Sequence, residues 1–259
     1  MSFHTWDLDQ LMARALEWVA EGARLIGVLS EGALEVDHKG SRNDLVTQVD
    51  CEVEALIRSR IGTETGWPVV GEEFDNPGHT TGPCWYLDPI DGTMNFVQTK
   101  RDYAISLALY EGEEPVLAVV LDVVRDEWYT AIAGRGAYCN GEKLAAVDPD
   151  RGLAEGIVLT DVKEILALPR LAAAITESRG HRRYGSAALE CVEVAAGRAG
   201  AFVHLWVSPW DIAAARLICC ECGVRFTRLD ATSLRIAEPG SVLVASPRTH
   251  QELVSALMR

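Results

Sequence analysis

Asp88-Pro89-Ile90-Asp91-Gly92-Thr93, at the end of the apolar run opened by Trp85-Tyr86-Leu87, puts two carboxylates and a hydroxyl within a few residues of one another. Proline presets φ and glycine reaches backbone angles closed to other residues, so the stretch reads as a tight turn. On such a turn Asp88, Asp91 and Thr93 converge rather than alternate along a strand. Aspartates packed together repel and shift each other's pKa values unless a cation neutralises them. A donor set made only of oxygen suits Mg²⁺, Mn²⁺ or Ca²⁺ better than zinc.

Three further places supply carboxylates beside turns or helix ends: Asp50, the pair Glu72-Glu73, and Asp211. Glu72 and Glu73 follow the short apolar run Pro68-Val69-Val70, so a strand stops there with acidic side chains aimed into a cleft. Ser208-Pro209-Trp210-Asp211 fits a capping box in which Ser208 caps a helix and Asp211, at N3, reaches back to the cap backbone. Taken singly, each has a structural reading: Asp211 as a cap, Glu73 as a surface carboxylate, Asp50 as an exposed helical residue.

The elements that must position these groups follow from hydrophobic period and turn residues. Residues 8–29 carry Leu8, Leu11, Met12, Ala15, Leu16, Val19, Ala23 and Ile26 at helical spacing, which predicts an amphipathic helix. A second helix is expected over 44–61, starting near Val46, with Val49, Val53, Leu56 and Ile57 inward. Short strands are expected at 68–70 and 84–87, and 104–110, 116–124 and 127–132 read as an antiparallel meander. Residues 147–152 are the expected boundary between two halves. Beyond it a strand (157–160), helices (169–179 and 186–197), a strand (201–205), a helix (209–221), short strands and a last helix opening at Pro247 predict an α/β second half.

Of the 259 residues 48% are hydrophobic, enough for a sizeable core. With 24 Lys+Arg against 38 Asp+Glu the formal charge is −14, which repels nucleic acid and anionic membrane surfaces, so neither is expected as a partner. The one basic cluster is Arg179, His181, Arg182 and Arg183. It reads either as a solvated loop before a helix or as a holder of an anionic substrate or a partner subunit. No basic segment followed by an apolar one marks a secretory signal, and no apolar run reaches the roughly 20 residues of a spanning helix, so a soluble cytoplasmic protein is expected. The seven cysteines are expected as reduced, mostly buried thiols; Cys219, Cys220 and Cys222 have no second pair at zinc spacing.

Five segments together carry a resemblance. They are Lys39 with Asp44-Leu45-Val46-Thr47-Gln48-Val49-Asp50; Gly71-Glu72-Glu73-Phe74; 85–96 (WYLDPIDGTMNF); Gly185-Ser186-Ala187-Ala188; and 210–223 (WDIAAARLICCECG). In type and order they resemble the signatures of the inositol monophosphatase family of metal-dependent sugar phosphatases, over most of the chain. The resemblance implies an α/β (α+β) fold, a layered αβαβα sandwich. An N-terminal half, 1–150, would carry most metal ligands. A C-terminal half, 151–259, would carry the substrate-side turn and the last ligand, with the site in the cleft between.

The resemblance also implies a Mg²⁺-dependent phosphomonoesterase. Glu72, Asp88 and the carbonyl of Ile90 would hold a first ion, Asp88, Asp91 and Asp211 a second, and Glu72 with water a third. Such ions activate an attacking water and stabilise the departing alkoxide. Thr93, Asp50 and Glu72 are the implied catalytic residues; a threonine hydroxyl is no base alone, so the carboxylate beside it is the necessary partner. Lys39 would steady phosphate or the third ion. Asp91, Gly92, Thr93, Gly185, Ser186, Ala187, His204 and Asp211 are implied to line the substrate. A homodimer and sensitivity to lithium are further expectations of the family.

One departure bears on substrate. Inositol-preferring members have a glutamate seven positions before the aspartate of the second signature, and here that position is His204, which reads as a substrate contact or as a satisfied interior residue. A neutral imidazole accepts one hydrogen bond and donates one, whereas a carboxylate accepts several. The substrate is therefore expected to be inositol monophosphate or a related small phosphorylated metabolite. The alternatives are the 2′-phosphate of NADP, fructose 1,6-bisphosphate and 3′-phosphoadenosine phosphates. A regulatory binding protein with this fold is the non-enzymatic alternative, and Glu72, Asp88, Asp91, Thr93 and Asp211, all present, favour the enzyme.

Overall fold

The structure, a computed structural model, describes residues 6–30, 36–38, 45–77 and 82–258. Lys39 and Asp44 lie outside the described residues. Asp7 caps helix α1 (Leu8–Leu29) by accepting from the Asp9 N–H, and Leu11, Ala15, Trp18, Val19, Gly22 and Ile26 form its buried stripe. Strands β1 (Val36–His38) and β2 (Leu45–Thr47) pair antiparallel. The helix expected from near Val46 starts instead at Gln48: residues 45–47 join that ribbon, and Thr47 becomes the N-cap of α2 (Gln48–Glu64).

A seven-stranded sheet follows. β3 (Val69–Gly71) and β4 (Pro83–Asp91) are parallel neighbours. After the short helix α3 (Thr93–Gln98), strands β5 (Ala104–Glu111), β6 (Glu114–Asp122) and β7 (Glu127–Ile132) form the expected meander, extended by β8 (Ala137–Cys139) and β9 (Glu142–Lys143).

The second sheet begins with β10 (Val158–Leu159). Two helices, α4 (Val162–Ala167) and α5 (Pro169–Glu177), lead to β11 (His181–Arg182) and α6 (Ala187–Ala195). Then come β12 (Ala201–Val207), α7 (Pro209–Glu221), β13 (Arg225–Thr227), β14 (Gly240–Ala245) and α8 (Pro247–Met258). The spatial order is β11-β10-β12-β14-β13, parallel around β10 and antiparallel around β14. Two features differ from the sequence expectation. The basic cluster is not wholly loop, since His181 and Arg182 form the edge strand. Helix α4 is too short to show a hydrophobic period and leaves Val162 and Leu166 exposed.

Three apolar clusters join these elements into five layers. One, with Trp18, Ile57, Trp85, Leu87 and Leu107, seals α1 and α2 onto the large sheet. A second, with Tyr86, Tyr110, Phe202, Ile212 and Ile218, fills the space between the two sheets, where α6 and α7 run. The third, with Val158, Leu171, Val203, Leu243 and Leu253, seals α5 and α8 onto the outer face of the small sheet. Each such side chain contributes about 1.5–3 kcal/mol on burial, so the layers are held firmly enough to position a site where they meet. Among the described residues no helix is long and apolar enough to cross a membrane.

Candidate active site

β3 and β4 run side by side to the same edge, Gly71 opposite Leu87, which brings Glu72 next to Asp88. β4 does not leave the sheet in a turn at Pro89, as the sequence reading expects, but continues to Asp91. Asp88 pairs with Ser106 and Asp91 with Ala104, three steps on β4 against two on β5. Residues three apart in a regular strand face opposite ways; the extra residue of this bulge returns Asp91 to the face that carries Asp88. That face is turned toward α7, where Ser106 Oγ donates to the Trp210 carbonyl at 3.3 Å. Asp88 is 2% exposed and its Oδ1 accepts from the Ile90 N–H at 3.0 Å. Burial first, then the charges of Glu72, Asp91, Asp211 and Asp50, push its carboxyl well above the ordinary range.

Thr93 opens α3 just after Gly92, whose φ of 100° lies in the left-handed region. A side chain at Gly92 would stand 3.1 Å from the Asp102 carbonyl and 3.3 Å from that of Gly185, so the approach of these two loops requires glycine. Thr93 Oγ1 lies 3.1 Å from Asp50 Oδ1 and 3.2 Å from the Ile90 carbonyl, two acceptors for its single proton. Asp50 is fully buried, not an exposed helical residue. It occupies N3 of α2, where its Oδ2 accepts from the backbone N–H of Thr47 at 3.0 Å and from the Thr47 hydroxyl. Burial raises its pKa against the opposing pull of the Thr47 and Thr93 hydrogen bonds, and Glu72 adds to the rise. Asp211 is held by the same device on α7, its Oδ2 accepting from the Ser208 N–H at 2.7 Å.

Asp91 joins the two sheets. Its oxygens accept from Ser186 Oγ at 2.6 Å and from the N–H groups of Ala187 at 3.1 Å and Ala188 at 2.6 Å, at the first turn of α6. Burial outweighs these donors, and the carboxyl is raised to about 6. Gly185, Ser186 and Ala187 therefore stand beside the acidic cluster. His204 lies with Arg183, Trp206 and Asp211 around a pocket of about 160 Å³ that Asp91 and Ala187 also line.

Several positioning residues escape the sequence reading. Glu54, one helical turn beyond Asp50, is buried beneath Gly71; it accepts from the Glu73 N–H at 2.9 Å and from Arg58 Nε at 2.7 Å, and so fixes the segment that carries Glu72. The run Asp50, Glu54, Arg58 at a spacing of four is the signal that could have found it. Asn95 Nδ2 ties the carbonyls of Asp102, at 2.8 Å, and Tyr184, at 2.6 Å. Glu190 gathers the N–H groups of Tyr184 and Gly185, and Arg183 Nε meets Asp161 at 2.7 Å. Tyr184 is remote from Asn95 in sequence, Asp161 sits on the unforeseen helix cap before α4, and the loop closures by Asn95 and Glu190 follow no regular period that would announce them.

Glu72, Asp88, Asp91, Asp211 and the Ile90 carbonyl offer oxygen donors only, and the charges that act most on Asp88, those of Glu72, Asp91, Asp211 and Asp50, are negative. Among the described residues no three His, Cys, Asp or Glu side chains are already disposed about one ion. The fit to a hard divalent cation thus lies in donor type and charge and not in a preformed cage.

The sequence model of the inositol monophosphatase family matches residues 7–259. An inositol-1-monophosphatase of Bacillus subtilis (strain 168) is 38% identical over 256 residues, 95% of each chain. Inositol monophosphate-bound SaIMPase-II superposes with a TM-score of 0.85 at 30% identity, over 96% of this chain and 93% of that one. An IMPase/NADP phosphatase complexed with Mg²⁺ and phosphate superposes with a TM-score of 0.90 at 27% identity, over 96% and 95%. The acidic cluster at the end of β4, the Thr93–Asp50 pair and these likenesses agree: the chain belongs to the inositol monophosphatase family.

Proposed function

We propose that the chain is a phosphoric monoester hydrolase for inositol phosphate or a related small phosphorylated metabolite, working with a divalent cation. The observation that carries this is the bulge in β4, which sets Asp88 and Asp91 on one face beside a threonine hydroxyl already bonded to a buried carboxylate. Glu72, Asp88 and the Ile90 carbonyl would hold one ion, and Asp88, Asp91 and Asp211 another; a third would lean on Glu72. Bound there, the ions would activate water and stabilise charge on the phosphoryl and leaving oxygens. Thr93 Oγ1 takes a proton from the attacking water as it passes its own to Asp50 Oδ1, a transfer their 3.1 Å contact permits. Gly92 and the α6 entry, Gly185 to Ala187, border the phosphate, and His204 the leaving group. Mg²⁺ as the ion, two or three per site, inhibition by lithium, a homodimer and a cytoplasmic place complete the reading on family likeness. So does the division of labour between residues 1–150 and 151–259.

Phosphate release tests it, with Mg²⁺ and with EDTA, from inositol 1-phosphate, NADP, fructose 1,6-bisphosphate and 3′-phosphoadenosine 5′-phosphate. EDTA-sensitive release from one or more is the expected result. No release from any of them overturns the hydrolase reading in favour of a binding role.

A further inference from the structure

His204 does not offer a free acceptor to the pocket it borders. Its Nδ1 lies 3.2 Å from the backbone nitrogen of Trp206, and since an N–H only donates, Nδ1 is the lone-pair side and the ring hydrogen sits on Nε2. Nε2 faces Glu164 Oε1 at 3.6 Å. Glu164 belongs to α4 and is 1% exposed; Oε1 accepts from the Leu205 N–H at 3.3 Å, while Oε2 is buried with no hydrogen-bond partner among the described residues. A carboxylate buried with one long hydrogen bond is costly unless a further donor answers it, and the imidazole is the group that faces it. Burial lowers the basicity of His204, with Glu164 and Asp161 opposing and Lys163 reinforcing, so the neutral ring is the form that meets substrate.

With Nδ1 occupied and the Nε2 hydrogen turned toward Glu164, His204 presents no free acceptor, and of the carboxylates in the same pocket Asp161 already receives Arg183 and Glu190 the N–H groups of Tyr184 and Gly185. The indole of Trp206, 64% exposed, and the Arg183 guanidinium share the pocket. Flat aromatic and guanidinium surfaces bind planar rings by stacking, whereas ring hydroxyls need acceptors. We propose that Glu164 is a positioning residue that holds His204 as an acceptor-free wall, so that the site favours phosphomonoesters whose leaving group carries a planar ring over those whose leaving group is a polyol. The inference rests on the reading of this pocket as the leaving-group side of a phosphomonoesterase.

The test compares 2′-AMP with inositol 1-phosphate, both esters of secondary alcohols, in the wild type and in Glu164→Gln, with Mg²⁺. The wild type is expected to have the higher kcat/KM on 2′-AMP, and Glu164→Gln to lower that preference about five-fold, the equivalent of one hydrogen bond regained by the polyol, with the change carried by KM. Ring ¹⁵N shifts of His204, assigned by comparison with His204→Gln, should show the hydrogen on Nε2 in the wild type and a mixture of tautomers in Glu164→Gln. A wild type that prefers inositol 1-phosphate, a preference unchanged in folded Glu164→Gln, or a wild-type hydrogen on Nδ1 would each overturn the proposal. Should the variant not fold, the wild-type preference and tautomer decide alone. Absence of release from both probes counts against the hydrolase reading, and the tautomer then judges Glu164 separately.

Discussion

Where β3 and β4 end, Asp88 faces Glu72, Asp91, Asp211 and Asp50, and among the described residues the charges that shift it most are all negative. On the neighbouring wall, around β12 and α4, charges meet their opposites or a donor: Arg183 contacts Asp161 at 2.7 Å, and His204 approaches Glu164 at 3.6 Å. The first wall accumulates negative charge that folding alone does not relieve, and on the proposed function it would take a foreign cation. The second is balanced within the chain. On the proposed function its residues can change without undoing the chemistry, and substrate choice would reside there.

The largest break in this contrast is Asp88→Asn. Loss of the central carboxylate should lower kcat/KM about 10³-fold or more, in the range of effects seen when a group acts with others as a unit. Without divalent cations the same variant should melt at a higher temperature than the wild type, because a buried like-charge contact is gone. Activity near wild type, or a lower metal-free Tm, would show that the charge is not held in the way described.

Next in size is Thr93→Val. Removing the hydroxyl that bonds to Asp50 should cost about 10²-fold in kcat, the usual worth of a positioned proton-transfer group. Asp50→Asn should cost a similar factor and the double variant little more, since the two act in one step. Additive losses in the double variant would separate their roles.

A thermal measurement sharpens the contrast from the side of stability. The folded pKa of Asp91 stands near 6 against an ordinary 3.8, so the folded state binds the extra proton; stability is fullest below the ordinary value and is lost as pH rises through about 6. Glu190 and Glu193, raised by burial to about 7, act with the same sign. In EDTA the Tm should therefore fall between pH 5 and pH 7.5. Mg²⁺ should raise it by a few degrees, and more at pH 7.5 than at pH 5, because only the ionised cluster holds the cation. An equal Mg²⁺ effect at both pH values would remove the acidic wall as its site.

The smallest expected effect belongs to the balanced wall. His204→Glu places a carboxylate with free acceptors at the pocket and should move the kcat/KM ratio toward inositol 1-phosphate by about five- to ten-fold. An unchanged substrate profile would reduce His204 to a packing residue.

Much of this was legible in residue order. The α1 stripe, the meander from Ala104 to Ile132 and the helix from Pro209 to Glu221 follow from short-range period and caps, which depend on neighbours a few positions away. The capping box at Ser208–Asp211 could be read for the same reason. Helix α4 and edge strand β11 could not: six and two residues carry no resolvable period, and β11 exists only because β10 lies beside it.

Residue types and local spacing determined that the chain would be acidic, apolar enough to fold in layers, and furnished with a carboxylate-rich turn sequence resembling that of a family of phosphatases. Only the tertiary structure decided how those carboxylates meet. A register shift against β5 turns Asp91 to the side of Asp88, and the first turn of α6, some 95 positions onward, captures it. Glu164 reaches His204 from a helix that periodicity does not announce. Period and capping are properties of adjacent residues, whereas bulge register and the pairing of buried charges depend on strands and helices that come together only when the layers close.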